Sequence, residues 1–310
     1  MAQSAHISRD LLRAQWTNAK MDVIVQYKHR PTAAQHQRVA SFGGRFKKQL
    51  GLINSGSYSV PAGSLEALAA DPDVASIVPD RKVRMLLDNT AAAVNAAAAW
   101  NYGLDGSGVG VAVIDSGISD HGDLQGPSGS RIVFRDNFVG TDAGDHFGHG
   151  EHVAGIIAGN GGNSKCLICS RNFVGIAPNV NLVDLRVLDE NGEGSDSAVI
   201  AAIGEAIQLR DQYNIRVINL SVGRPVFESY KTDPLCQAVE AAWQAGIVVV
   251  VAAGNDGRTN IANNNGYGTI SAPGNDPYVI TVGAMKSMGT LDRLDDLIAS
   301  YSEKGPTQIV

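Results

Sequence analysis

The chain has 310 residues, 44% of them hydrophobic and 18% charged, with a net charge of −6. That is enough apolar material for one large domain or a large and a small one, and the acidic balance excludes an electrostatic footprint for nucleic acid or an anionic membrane surface. No apolar run approaches the ~20 residues needed to span a bilayer, and three cysteines make no disulfide framework.

Residues 1–20 carry no apolar h-region of a signal peptide and read as an N-terminal extension. Residues 21–83 read as a compact α+β unit. "MDVIVQY" predicts a strand, and "PTAAQHQRVASFG" a helix with Pro31 early and Gly43 at its end. "SGSYSV" predicts a second strand, "SLEALAADP" a helix capped by Ser64 and stopped by Pro72, and "VASIV" a last strand. Residues 84–99 are basic at first and then alanine-rich, the composition of a linker or processing region.

From about residue 100 the texture changes. "VGVAVID", "NLVDLRVL", "IRVINLSVG" and "GIVVVVAAGN" are short Val/Ile-rich runs ending in polar residues or glycine, as strands buried on both faces do. Between them lie amphipathic helices. One places Val199, Ile200, Ile203, Ala206 and Ile207 on one side; another has Asp233 as N-cap, Pro234 at its first position and Gly246 past its end. The alternation predicts a doubly wound parallel α/β sheet over 100–310.

The stretch "HFGHGEHVAGIIAGNGGNSKCLIC" holds His-x-Glu and Cys-x-x-Cys, the parts of a zinc deaminase site. The pattern fails in detail: Lys165 stands where that signature needs proline, and His149 and His152 are three apart where zinc-protease helices space theirs four apart. No metal site is therefore assigned; Cys166 and Cys169 read as loop thiols, with a short-loop disulfide as the alternative, Cys236 as a core residue and His152 as packing support. The glycines of "GLDGSGVGVAVID" precede their strand instead of following it, which rules out a dinucleotide loop.

In doubly wound sheets reactive groups gather at the carboxyl ends of the strands. Asp115 ends "VGVAVID", Asn255 ends "GIVVVVAAGN", and His149 opens the helix of "HGEHVAG". Together with "GIAPNVNLVDLRVL", "INLSVG", "VITVGA" and "SYSEKGP", these segments resemble in order the motifs of the subtilisin-like serine proteases. The resemblance implies a serine endopeptidase acting on polypeptides outside the cell. Asp115 would orient His149, His149 would serve as general base and acid, and Asn255 would donate to the oxyanion. Gly192, Gly194, Ser195, Ser221, Val222 and Gly223 would pair with substrate backbone as added strands do. Residues 21–83 resemble the family's ferredoxin-like propeptide, which would occupy the substrate groove as an inhibitor.

No cofactor is required on this reading. The resemblance admits calcium near Asp123, but the sequence near 160–172 does not match the rest of that site. Glu151 replaces the family's usual threonine and would raise the pKa of His149 if the two came close. The acidic residues Asp189, Glu190, Glu193 and Asp196 read either as a solvated loop or as a cluster favouring basic side chains on the unprimed side of the cleaved bond.

The family's nucleophile lies in Gly-Thr-Ser-x-Ala-x-Pro, which does not occur in residues 1–310. "GTISAPG" at 268–274 imitates it, but it directly precedes "DPYVITVGA" and no helix pattern follows, so Ser271 is not taken as the nucleophile. The expectation is a catalytic domain lacking its C-terminal part and inactive by itself, with a non-catalytic peptide-binding or inhibitory protein as the alternative.

Overall fold

The structure, a computed structural model, describes residues 6–8, 11, 20–80, 82–85 (backbone), 94–142, 144–164, 173–259, 264–286, 294, 296–307 and 309. Its first part is a five-stranded sheet of β1 (His6–Ile7), β2 (Lys20–Tyr27), β3 (Arg45–Leu50), β4 (Ser55–Pro61) and β5 (Val74–Pro79), ordered β1-β5-β2-β4-β3. Neighbouring strands are antiparallel except β1 and β5. The helices α1 (Ala33–Ser41) and α2 (Leu65–Ala69) accompany it.

The sequence "VIV" within β2 is apolar at three successive positions because both faces of this sheet are covered. Val23 and Val25 join Val39, Leu65 and Leu68 beneath the unit's own helices. Ile24 points the other way, and with Leu50, Ile53 and Val78 it enters the core of the larger part of the chain.

The local signals around α1 and α2 differ in outcome. Thr32 caps α1 through a reciprocal pair with Gln35, so the helix begins two residues beyond Pro31. Ser64 does not cap α2. It sits in a helical conformation within a preceding turn, its hydroxyl donates to the Pro61 carbonyl at 2.7 Å, and α2 stops at Ala69, before Pro72. Ahead of the 21–83 span, β1 pairs with β5 and Leu11 is buried with Val23 and Val25.

The chain continues through β6 (Lys82–Met85) and α3 (Ala96–Trp100) into β7 (Gly110–Asp115). A short hairpin, β8 (Gln125–Gly126) and β9 (Gly129–Ser130), precedes β10 (Ile132–Asn137). Then follow α4 (His149–Ala158), β11 (Asn181–Arg186), β12 (Gly194–Ser195), α5 (Asp196–Gln208), β13 (Ile215–Leu220) and β14 (Val222–Gly223). The last elements are α6 (Pro234–Gln244), β15 (Val248–Ala252), β16 (Ile280–Val282), and the paired β17 (Met285–Lys286) and β18 (Leu297–Ile298).

Six of these strands form one parallel sheet in the order β10-β11-β7-β13-β15-β16. Helices cover both faces, as the continuous apolar strands require. Val111 and Val113 of β7 face α4, whereas Ala112 and Ile114 face α5 and α6. The α/β fold is the doubly wound parallel sheet expected from sequence. Asp233 caps α6 by accepting from the Leu235 and Cys236 amides, with Pro234 in the first turn and Gly246 at φ +81° beyond it.

One buried ion cluster fixes α5 and α6 to the strand ends. Arg224 donates to both oxygens of Asp196 at 3.1 Å and to both of Asp233 at 2.7–2.8 Å, and all three side chains are shielded from solvent. Asp196 therefore takes no part in an exposed acidic cluster. Removing one partner of such a group strands the others without compensation, which costs about 3–5 kcal/mol. Arg224→Ala is accordingly expected to lower unfolding free energy by about that amount, measured as a shift of the urea midpoint; a change within ~0.5 kcal/mol would contradict this account.

Candidate active site

Parallel strands bring their carboxyl ends to one edge, and Asp115 sits there as the last residue of β7. It is fully buried, and its Oδ1 accepts the Ser116 amide and contacts His149 Nδ1, both at 2.8 Å. His149 is the first residue of α4 and its side chain is 10% exposed. Its other ring nitrogen, Nε2, is buried and has no hydrogen-bond partner among the described residues. The pair can hold a proton on Nδ1 and leave Nε2 as a base.

Three local features put the imidazole there. The Gly150 amide donates to Ser116 Oγ at 2.9 Å, pinning the start of α4 to the turn after β7. A side chain at Gly150 would collide with the Gly117 carbonyl, so only glycine permits this approach. Asp145 supplies the missing cap: its carboxylate accepts the amides of Phe147, Gly148 and Glu151 at 2.7–2.9 Å. Asp145 was not singled out from sequence. Its signal was an aspartate shortly before a glycine N-cap that has no side chain to do the work.

The other residues of this helix differ from expectation. Glu151 accepts the Ser119 amide at 2.7 Å, and burial raises its pKa; the carboxylate is spent on that loop and not on His149. His152 is exposed and does not support packing, because α4 turns its Val153 and Ala154 side to the sheet. Among the described residues no cluster of three metal-ligating side chains occurs. Asp123 Oδ1 accepts the Asn163 amide at 2.6 Å and its carbonyl accepts Arg131 Nη2 at 2.7 Å; residues 165–172, most of the rest of the calcium segment considered from sequence, lie outside the described residues. Cys166 and Cys169 lie outside the described residues, and Cys236 is buried in α6, as expected of a core residue.

Of the backbone positions expected to pair with substrate, four pair with a strand of the chain itself. The segment β6 lies antiparallel between β12 and β14, forming the three-stranded sheet β12-β6-β14. Gly194 and Ser195 face Val83 and Lys82; Val222 and Gly223 face Met85 and Arg84. Gly192 lies outside this ladder, because its amide is used in a turn to the Asp189 carbonyl at 3.1 Å. Ser221 is also outside it; it is buried and accepts from Asn219 Nδ2 at 2.9 Å.

Asn255 is half-buried three residues beyond β15, on the same edge as Asp115, with β13 between their strands. Ser271 is directed elsewhere. Its hydroxyl donates to Glu303 Oε2 at 2.8 Å and not to the histidine.

The fold and the Asp–His pair at its carboxyl edge define a class, and the comparisons agree with it. Residues 106–309 match the model of the subtilase family, and the chain belongs to that family of subtilisin-like serine proteases. It is 35% identical to the serine protease AprX of Bacillus subtilis (strain 168), over 88% of this chain and 60% of that protein. It is 33% identical to subtilisin E of the same organism, over 83% of this chain and 62% of the relative, and 35% identical to an alkaline protease of Alkalihalobacillus alcalophilus, over 68% and 51%. The chain thus spans about 60% of the length of the first of these relatives. No helix among the described residues is long and apolar enough to cross a membrane.

A second buried carboxyl lies behind the site. Asp184 of β11 accepts the Ile118 amide at 3.0 Å, and burial lifts its pKa to about 8, outweighing Arg135 at 3.7 Å. The folded state therefore keeps a proton that the unfolded chain releases near pH ~4. The stabilisation from this group is fully present below that value and is lost as pH rises through about 8. Asp184→Asn, which mimics the neutral acid, is expected to flatten this decline in urea unfolding free energies measured from pH ~5 to ~9; parallel curves for the two proteins would refute it.

Proposed function

We propose that this chain is the precursor of a serine endopeptidase, with Asp115, His149 and Asn255 as its catalytic groups and residues 21–83 as an inhibitory pro-unit. The observation that carries the reading is the buried contact between His149 Nδ1 and Asp115 Oδ1, with Nε2 unpartnered among the described residues. In peptide hydrolysis Nε2 would take the proton of a serine hydroxyl and return it to the leaving amine. Asp115 fixes the tautomer and stabilises the imidazolium. The Asn255 amide donates to the oxygen that becomes negative.

Two observations support the pro-unit. The β6 strand fills the space between β12 and β14, where an extended polypeptide substrate would add as a strand. The AprX similarity covers 88% of the chain while the family model begins only at residue 106, so the similarity reaches into the N-terminal part. Processing would fall in the segment 84–99, which begins within β6 and runs beyond it, and the mature enzyme would act outside the cell as the family resemblance implies. With Asp196 bound to Arg224, only Asp189, Glu190 and Glu193 remain to favour basic side chains.

Residues 1–310 contain no Gly-Thr-Ser-x-Ala-x-Pro segment, and Ser271 is engaged by Glu303. This polypeptide alone is expected not to hydrolyse casein, and hydrolysis blocked by a serine-directed reagent would disprove that. Reading the coding sequence beyond codon 310 separates the enzyme from a non-catalytic peptide-binding protein: the motif in frame favours the first, an immediate stop codon the second. In a protein that carries the motif, Asp115→Asn is expected to lower kcat about 10⁴-fold with KM little changed. A loss under ~10-fold would remove Asp115 from the catalytic group.

A further inference from the structure

The turn that bears Asn255 is held by a residue to which no role has yet been given. Glu303 is buried, with its carboxyl pressed against the Cα of Gly254 in the space a side chain there would occupy. Its Oε1 accepts the Asp256 amide at 3.2 Å, and its own amide donates to the Gly254 carbonyl at 3.0 Å. Its Oε2 accepts from Ser271 Oγ at 2.8 Å, and the Ser271 amide donates to the Ala253 carbonyl at 2.9 Å. Ser271 in turn packs against Gly223, where a Cβ would stand 3.1 Å from that of the serine. One carboxyl thus touches both residues that flank Asn255 and, through Ser271, the groove strand β14.

We propose that Glu303 is a positioning residue for the Gly254–Asp256 turn, fixing the direction of the Asn255 amide and tying that turn to β14 through Ser271. The role at the oxyanion rests on the reading of Asn255 given above; the restraint on the turn does not. Gly254 has φ +123° and leaves room for the carboxyl, so both its conformation and the approach exclude a larger residue. Glu303 touches no reacting atom and acts only through its neighbours.

The restraint has a chemical handle. Burial raises the Glu303 pKa to about 7, the charge of Asp256 adds to the rise, and the bonds from Ser271 and the Asp256 amide oppose it. Among the described residues the other charged groups on the surrounding segments are engaged elsewhere: Arg258 bonds Ser300 Oγ, and the Lys304 ammonium bonds the carbonyls of Gly257 and Asn265. The ionised carboxyl accepts from both Ser271 and Asp256. Once protonated it has one acceptor oxygen fewer, so the turn loosens as pH falls through about 7.

The test is a pH titration of the 310-residue chain, isotope-labelled, from pH ~5.5 to ~8.5 by NMR. The Asn255 side-chain amide and the Asp256 backbone amide are expected to shift together with a midpoint near 7. Glu303→Gln, which keeps the shape but cannot ionise, is expected to abolish both shifts while the resonances of β7 stay in place. Flat resonances in the unsubstituted chain, or an unchanged titration in Glu303→Gln, overturn the proposal. Should the variant not fold, the carboxyl carbon of Glu303 in the unsubstituted chain decides: a midpoint shared with Asn255 supports the assignment, and a separate one overturns it. Because the readout needs no turnover, a loss of activity under ~10-fold on Asp115→Asn in a protein that carries the nucleophile motif would defeat the proposed catalytic group and leave the restraint on the turn intact.

Discussion

Everything in the larger part of this chain depends on the common direction of six strands. In an antiparallel sheet the ends of neighbouring strands alternate between edges. In this sheet β7, β11, β13 and β15 all deliver their carboxyl ends to one side. Asp115 and Asn255 are far apart in sequence and yet stand on that side with only β13 between them. The helix α4 returns to the same edge because glycine at position 150 lets it press on the turn after β7. The histidine needs no further guidance: its backbone is set by the Ser116 and Asp145 bonds, and its ring by Asp115.

The groove is built on a different principle. The strands β12 and β14 are two residues each, too short to form a sheet with any stability of their own. They leave backbone donors and acceptors facing a gap, and such edges recruit an extended strand. Here that strand is β6, from the same chain. Main-chain pairing of this kind is indifferent to side-chain identity, which is why a basic, unremarkable stretch such as "KVRM" can occupy it.

The sequence disclosed what burial writes into it. The Val/Ile-rich strands, the capped helix after Asp233 and the order of motifs around Asp115, His149 and Asn255 were all readable, since each reflects a position enclosed by its surroundings. What escaped notice depends on partners distant in sequence. "RFKKQL" shows no alternation a reader would trust, because β3 is an edge strand with much of its length in solvent. Asp196 looked like part of an acidic surface; only the fold reveals Arg224 beside it. The motif around His149 does not disclose which way Glu151 and His152 point; the face of α4 places one on a loop amide and the other in water. Ser271 sat in a convincing imitation of a nucleophile motif, and its true partner, Glu303, lies 32 residues away.

The sharing of Ile24, Leu50, Ile53 and Val78 with the core of α5 and α6 has a mechanical meaning. These side chains belong to one unit by sequence and to the other by contact. Asp80 reinforces the seam by accepting the Ser197 amide and hydroxyl at 3.0 and 2.6 Å, at the start of α5. Cutting the chain between the two units would break one covalent bond and leave this seam closed, with its apolar surface still dry. Parting them requires rewetting that surface, so severance and departure are separate events with separate barriers.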